Sequence, residues 1–105
     1  TMKIQDGNII ELGKKPISYD EIEGQYIGLM KVSKSALSKL IKFYETLDRS
    51  KIYDGKDFYN MYMTSLIQMV IDHIMDVTPV FINGGWIEID SVEDISAYNK
   101  EGIKF

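Results

Sequence analysis

The spacing of apolar positions changes several times along this chain, and each change predicts an element. Lys3-Ile4-Gln5 and Asn8-Ile9-Ile10-Glu11-Leu12 flank Asp6-Gly7. Asp-Gly supplies the positive φ angles of a two-residue hairpin turn, so two short strands are expected here. Gly13 to Gly24 is a polar connection holding Pro16 and the acidic stretch Asp20-Glu21-Ile22-Glu23. Gln25 to Val32 is nearly continuous apolar sequence bounded by turn residues, the pattern of a strand buried on both faces. A glycine inside such a run, here Gly28, permits close approach of another backbone or a ligand.

Ser33 is a good N-cap, and Leu37, Leu40, Ile41, Tyr44 and Leu47 then recur at helical spacing with lysines on the opposite face. Arg49 to Gly55 reads as a loop. Asp57 can cap a second helix, whose stripe is Phe58, Met61, Tyr62, Ser65, Leu66, Met69, Val70 and His73. Thr78 to Ile82 reads as a strand, Asn83-Gly84-Gly85 as a turn, and Trp86-Ile87-Glu88-Ile89-Asp90 alternates as a further strand. Ser91-Val92-Glu93-Asp94 is close to a capping box, opening a last helix to about Lys100 with Gly102 beyond its end.

Composition narrows the classes. The 105 residues are 45% hydrophobic and 27% charged, an ordinary globular balance for one domain over residues 1–105. A chain of this length buries about two-thirds of its unfolded surface if it closes its own core. There is no cysteine, which excludes disulfides and thiolate metal sites. The net charge of -4 argues against nucleic-acid binding, which needs a basic surface. No apolar run is long enough to span a bilayer, and a cytoplasmic location is expected.

Chemistry concentrates near the C-terminal end. On an alternating strand Trp86, Glu88 and Asp90 share one face, with the two carboxylates roughly 7 Å apart at Cα. Such a pair can hold one hard cation through oxygen, with water or phosphate completing the shell. The same spacing also fits a solvent-facing strand edge with harmless charges. Lys31 can reach a ligand phosphate, or simply bury its stem and expose its head. His73 reads as a packed or half-exposed helix residue, since no second histidine exists to complete a metal site. The aromatic run Tyr59 to Met63 reads as core ahead of an aromatic cage.

The string Trp86-Ile-Glu88-Ile-Asp90-Ser-Val-Glu93-Asp94-Ile-Ser-Ala97 resembles the C-terminal motif of the MobA-like nucleotidyltransferase family, which activates sugar-1-phosphates and phospho-alcohols. The branch it looks most like holds the cytidylyltransferases for phosphocholine, inositol phosphate and aminoethylphosphonate. The hairpin from Lys3 to Lys14 and the segment Gly24-Gln25-Tyr26-Ile27-Gly28 match the same family in order and spacing. The resemblance implies magnesium-dependent attack by an acceptor phosphate on the α-phosphorus of a nucleoside triphosphate. It further implies that Asp90 ligates the metal, together with a second Asp from an N-terminal half, and that Glu88 lies beside the acceptor. Two features depart from the family. Gln25 stands where the family has glutamate, which puts preference for a cationic acceptor in doubt. No Gly-rich loop precedes a helix, so a nucleotide cradle is not legible.

The expectation is therefore an α/β fold, a mixed sheet with packed helices, forming the C-terminal part of a Rossmann-like nucleotidyltransferase without its N-terminal nucleotide-binding half. Asp90 is the candidate catalytic and metal residue, with Mg2+ as cofactor, and Trp86, Glu88, Gln25 and Lys31 are the candidate substrate contacts. The expected partners are a nucleoside triphosphate, CTP by the resemblance, and a phosphorylated small molecule. The 105 residues alone are expected to be inactive and to self-associate as a homo-oligomer. The alternative is a non-catalytic, self-associating α/β module.

Overall fold

The computed structural model describes residues 1–102. Asp6 and Gly7 take φ angles of 52° and 80°, and β1 (Met2–Gln5) and β2 (Asn8–Leu12) close as the expected antiparallel hairpin. Met2 faces Leu12 and Lys3 faces Glu11, but Ile4 faces Ile9. The register shift leaves Ile10 with no opposite residue, a bulge that resets the alternation. Ile9 and Leu12, three residues apart, are consequently both buried.

Helix α2 (Met63–His73) lays Ile67 against Ile9 and Leu12, and Met2, Ile4, Tyr26, Ile71 and Val77 pack around them. Gln68 is buried on the same helix. Its Oε1 accepts from Leu12 N–H at 2.7 Å, and its Nε2 donates to Ile10 C=O at 2.9 Å and to Asp72 Oδ1 at 3.0 Å. One amide side chain thus satisfies the backbone on both sides of Glu11. The buried face of α2 comprises Ser65, Ile67, Gln68 and Val70, rotated from the expected stripe. Phe58, Met61 and Tyr62 lie before the helix. Asp57 does cap, but its Oδ1 accepts from Asn60 N–H and Nδ2 and closes only a 3-10 turn, Phe58–Asn60.

Ser33 caps α1 (Lys34–Thr46) as expected, its Oγ accepting from Ala36 N–H at 3.2 Å. The expected loop from Arg49 to Gly55 holds most of a second hairpin. Asp54 and Gly55 take φ angles of 49° and 81°, and β3 (Ile52–Tyr53) pairs antiparallel with β4 (Lys56–Asp57). Hydrogen bonds from the Ser50 hydroxyl and then its amide hold the Asp48 carboxyl below its ordinary value, with a smaller contribution from Lys51. Phe58 closes this region, its ring 5.2 Å from those of Tyr44 and Tyr59 and 5.3 Å below the Arg49 guanidinium. Helix α3 (Val92–Lys100) has the full capping box between Ser91 and Asp94, and Gly102 takes a φ of 84° past its end.

The expected mixed sheet does not form among the described residues, which carry two separate two-stranded antiparallel sheets beside the three helices. Gln25 to Val32, Thr78 to Ile82 and Trp86 to Asp90 join no ladder. The beginnings of pairing are present. Gly24 makes one antiparallel bridge to Met2, and Ile9 N–H donates to Val77 C=O at 2.8 Å. Each contact stops there because no neighbouring strand lies alongside the next residues. Gly28 also turns to a φ of 86°, incompatible with a continuous strand.

The molecule is correspondingly open. Its radius of gyration is 16.5 Å, against about 13 Å for a closed domain of this length. Its accessible surface is 8348 Å², against about 6,000 Å² for a folded monomer of this mass. About half of the unfolded surface is buried rather than two-thirds.

Gln68→Leu keeps the bulk at the helix–hairpin joint and leaves the Leu12 N–H and Ile10 C=O unpaired. The expected loss is about 1–3 kcal/mol, read as a lower urea midpoint followed by circular dichroism. A midpoint equal to that of the parent chain would show that the bridge carries no stability.

Candidate functional site

The segments that find no sheet partner enclose an apolar crevice of about 730 Å³. One wall is Gln25 to Ser33 without Gly28, another is Met75 to Ile82, and Leu66, Ile67 and Val70 of α2 form part of the floor. Exposed apolar side chains stand around it: Leu29 is 80% and Val80 91% accessible. The charged residues that line it are Glu23, Lys31 and Asp76.

Three of the expected site residues meet at this crevice. Gln25 and Lys31 lie on its first wall, and the half-buried Trp86 closes one side. Glu88 and Asp90 do not line it. They sit on the exposed stretch between Gly85 and Ser91, where the expected strand is absent and the shared face with Trp86 is not enforced.

Asp90 is nevertheless held at its backbone. Asp94 Oδ2 accepts from Asp90 N–H at 2.9 Å and from Ser91 N–H at 3.2 Å, while Ser91 Oγ accepts from Asp94 N–H at 3.3 Å. The cap therefore reaches one residue further back than a capping box requires. It occupies the helix N-terminus with Asp94 and leaves the Asp90 carboxylate free of protein partners among the described residues. The sequence reading had Asp94 in the capping box but not its further bond to the Asp90 amide, for which the four-residue interval between the two aspartates is the added signal.

A free, exposed carboxylate beside an already capped helix suits Mg2+, which takes one or two protein carboxylates and keeps several waters. It does not make a cation site by itself. No cluster of three or more histidine, aspartate or glutamate side chains able to hold a metal occurs among the described residues. His73 is exposed at the last turn of α2 and takes no part. The tyrosines after Phe58 form neither cage nor core: Tyr59 is 75% accessible, and Lys56 lies 5.7 Å above the Tyr62 ring. No helix among the described residues is long and apolar enough to cross a membrane.

Over nearly its whole length the chain is similar to part of one known protein. That relative is the CTP:phosphoglutamine cytidylyltransferase of Campylobacter jejuni subsp. jejuni serotype O:2 (strain ATCC 700819 / NCTC 11168). The two are 54% identical over 95 residues, which is 90% of this chain and 38% of the relative. A stretch of 95 among 105 residues takes in Gln25, Lys31 and Trp86 to Asp94 wherever it starts. No family model and no solved structure matches the chain.

Asp94→Ala removes the acceptor shared by the Asp90 and Ser91 amides. Hydrogen exchange at Asp90 N–H is expected to accelerate in this variant and to stay slow in Ser91→Ala, which loses only the Asp94 amide bond. Equal exchange at Asp90 in the parent and Asp94→Ala would show that Asp94 does not hold it.

Proposed function

We propose that this chain is the acceptor-and-metal portion of a magnesium-dependent cytidylyltransferase. The reading rests on one observation above all, the 54% identity to a cytidylyltransferase across the segments that surround the crevice and carry Asp90. In the proposed reaction a phosphate oxygen of the acceptor attacks the α-phosphorus of CTP. A new P–O bond forms, the α–β bridging bond breaks, and pyrophosphate leaves. The nucleotide cradle lies in a portion matching the rest of the relative, so the 105 residues alone carry no transferase activity.

Each candidate residue is assigned a role in this reading. Lys31, a charged residue on a wall otherwise largely apolar, binds an acceptor phosphate oxygen. Gln25 offers a neutral amide to the acceptor's polar end, and Trp86 shields the bond-forming region from water. Glu88 lies two residues from Asp90 and orients the acceptor. Asp90 holds Mg2+ through its free carboxylate, and Asp94 keeps the Asp90 backbone in place. When bound, the ion supplies neutralisation of the phosphate charges that repel each other on approach. The relative's name specifies phosphoglutamine, so the proposed acceptor is a phosphorylated amino-acid amide.

The exposed apolar faces favour the second reading, a self-associating module without catalysis. Joining these residues to a nucleotide-binding portion and following pyrophosphate release from CTP with phosphorylated acceptors separates the two. Release dependent on both substrates is expected, and its absence with every acceptor would overturn the transferase reading.

In that joined enzyme Asp90→Asn is expected to lower turnover about a hundredfold or more, since a catalytic metal supplies several kcal/mol. The thermal midpoint should be nearly unchanged, because the carboxylate has no hydrogen-bond or ion-pair partner among the described residues. Parent-like turnover at saturating CTP would remove Asp90 from the metal site.

Gln25→Glu places a negative charge on the crevice wall. The ratio of kcat/KM for a cationic acceptor such as phosphocholine to that for a neutral phospho-alcohol is expected to rise. A ratio that does not move would take Gln25 out of the acceptor site.

A further inference from the structure

We propose that Asp76 selects the acceptor: its carboxylate receives the ammonium group of an amino-acid acceptor whose phosphate rests at Lys31. This deepens the acceptor reading above and rests on it. In this assignment Asp76 meets only the non-reacting end of the acceptor, so it sets specificity and makes or breaks no bond. Its ground is a pair of opposite charges that the fold leaves apart. Lys31 lies on the wall formed by Gln25 to Ser33, and Asp76 on the wall formed by Met75 to Ile82. Both are exposed, and neither side chain has a hydrogen-bond or ion-pair partner among the described residues. Two opposite charges that line one hollow without meeting suit a molecule that carries the same charges in reverse. A phosphorylated amino-acid amide is such a molecule, with its phosphate at one end and its ammonium group at the other. The hollow of about 730 Å³ falls within the range of about 300–1,000 Å³ usual for small-molecule sites.

Glu23, the other acid on the crevice, is already engaged. Its Oε2 accepts from Ile4 N–H at 3.0 Å while its own N–H donates to Met2 C=O at 3.1 Å, so it holds the edge of the first hairpin. Asp76 instead has its backbone pinned on both sides and its carboxylate left over. Before it, Ile74 and Met75 N–H both donate to Val70 C=O, at 2.9 and 3.1 Å, and end α2. After it, Val77 C=O accepts from Ile9 N–H at 2.8 Å, and Thr78 Oγ1 donates to Asn8 Oδ1 at 3.3 Å. A binding group whose backbone is fixed in advance loses less freedom when its ligand arrives.

The place of Asp76 does not serve helix stability. It follows the C-terminal end of α2, where the helix dipole favours a cation and disfavours a carboxylate. The same dipole adds to the pull of Asp76 on an ammonium group. The neighbours decide between an ammonium group and a metal ion. Met75 and Val77 also line the crevice and offer apolar contact to the carbon chain that bears an ammonium group. Mg2+ demands an octahedral shell of oxygens, and no cluster of three or more acids or histidines able to hold a metal occurs among the described residues.

The test is titration calorimetry on these residues joined to the nucleotide-binding portion. The probes are phosphoglutamine and its α-N-acetyl derivative, which keeps the phosphate and has no ammonium group. The parent is expected to bind phosphoglutamine about tenfold tighter or more, the worth of one charge-assisted hydrogen bond. Asp76→Asn should abolish that preference by weakening phosphoglutamine alone, and Asp76→Glu should keep it. Asp20→Asn, a change at an exposed acid away from the crevice, should leave it as it is. In turnover, Asp76→Asn should raise KM for phosphoglutamine with kcat nearly unchanged. A parent that binds neither probe, or both equally, would overturn the proposal. So would a preference that survives Asp76→Asn, or an equal weakening of both probes by it. Pyrophosphate release is a separate readout: its absence beside a binding preference that follows Asp76 would overturn the transfer reading and leave the Asp76 site standing.

Discussion

Gln68 serves a backbone donor and a backbone acceptor of β2 at once, and the surrounding packing depends on that joint. The bulge at Ile10 brings Ile9 and Leu12 to one face, but it also leaves backbone polar groups without a regular ladder. Unsatisfied, they would cost more than the added apolar contact returns. An amide is the side chain for this place because it carries an acceptor and a donor in one plane. Asp72 takes the second hydrogen of Nε2 and sets which way the amide points. With both groups met, Ile67 can approach the hairpin and close the small core.

That core is small because the hairpin is used on one side only. Helix α2 meets β2 through Ile67 and Gln68, and with Leu66 and Val70 the same Ile67 borders the crevice. The segments around the crevice have the composition of sheet strands but no neighbours to pair with. A strand is defined by its partners as much as by its residues, since its hydrogen bonds all leave the segment. The openness and the absent strands are thus one fact seen twice.

What the sequence made legible follows from the same division. Local chemistry was readable: the Asp6-Gly7 turn, the Ser33 cap and the Ser91–Asp94 box all form as the residues indicate. Each depends on contacts within a few positions. Asp54-Gly55 carried the same signal as Asp6-Gly7 but was passed over, because its flanking strands are two residues each and show no alternation. The start of α2 was misplaced for a related reason, since Asp57 and Asn60 satisfy each other in a single turn. Gln68 was not legible at all, because its partners lie 56 and 58 residues away. At the candidate site, the sequence singled out Gln25, Lys31 and Trp86, which do share a crevice. It placed Glu88 and Asp90 beside Trp86 by strand alternation, and without the strand that argument lapses.

The Ile67 core and the group around Phe58 also differ in how far apart their members lie along the chain. Tyr44, Arg49, Phe58 and Tyr59 gather within sixteen positions around the second hairpin. Joining β2 to Gln68 closes a loop of more than fifty residues. Closing a longer loop costs more chain entropy before any contact is made. On chain entropy alone the Phe58 cluster is the less costly to form, and docking of the N-terminal hairpin onto α2 the more costly.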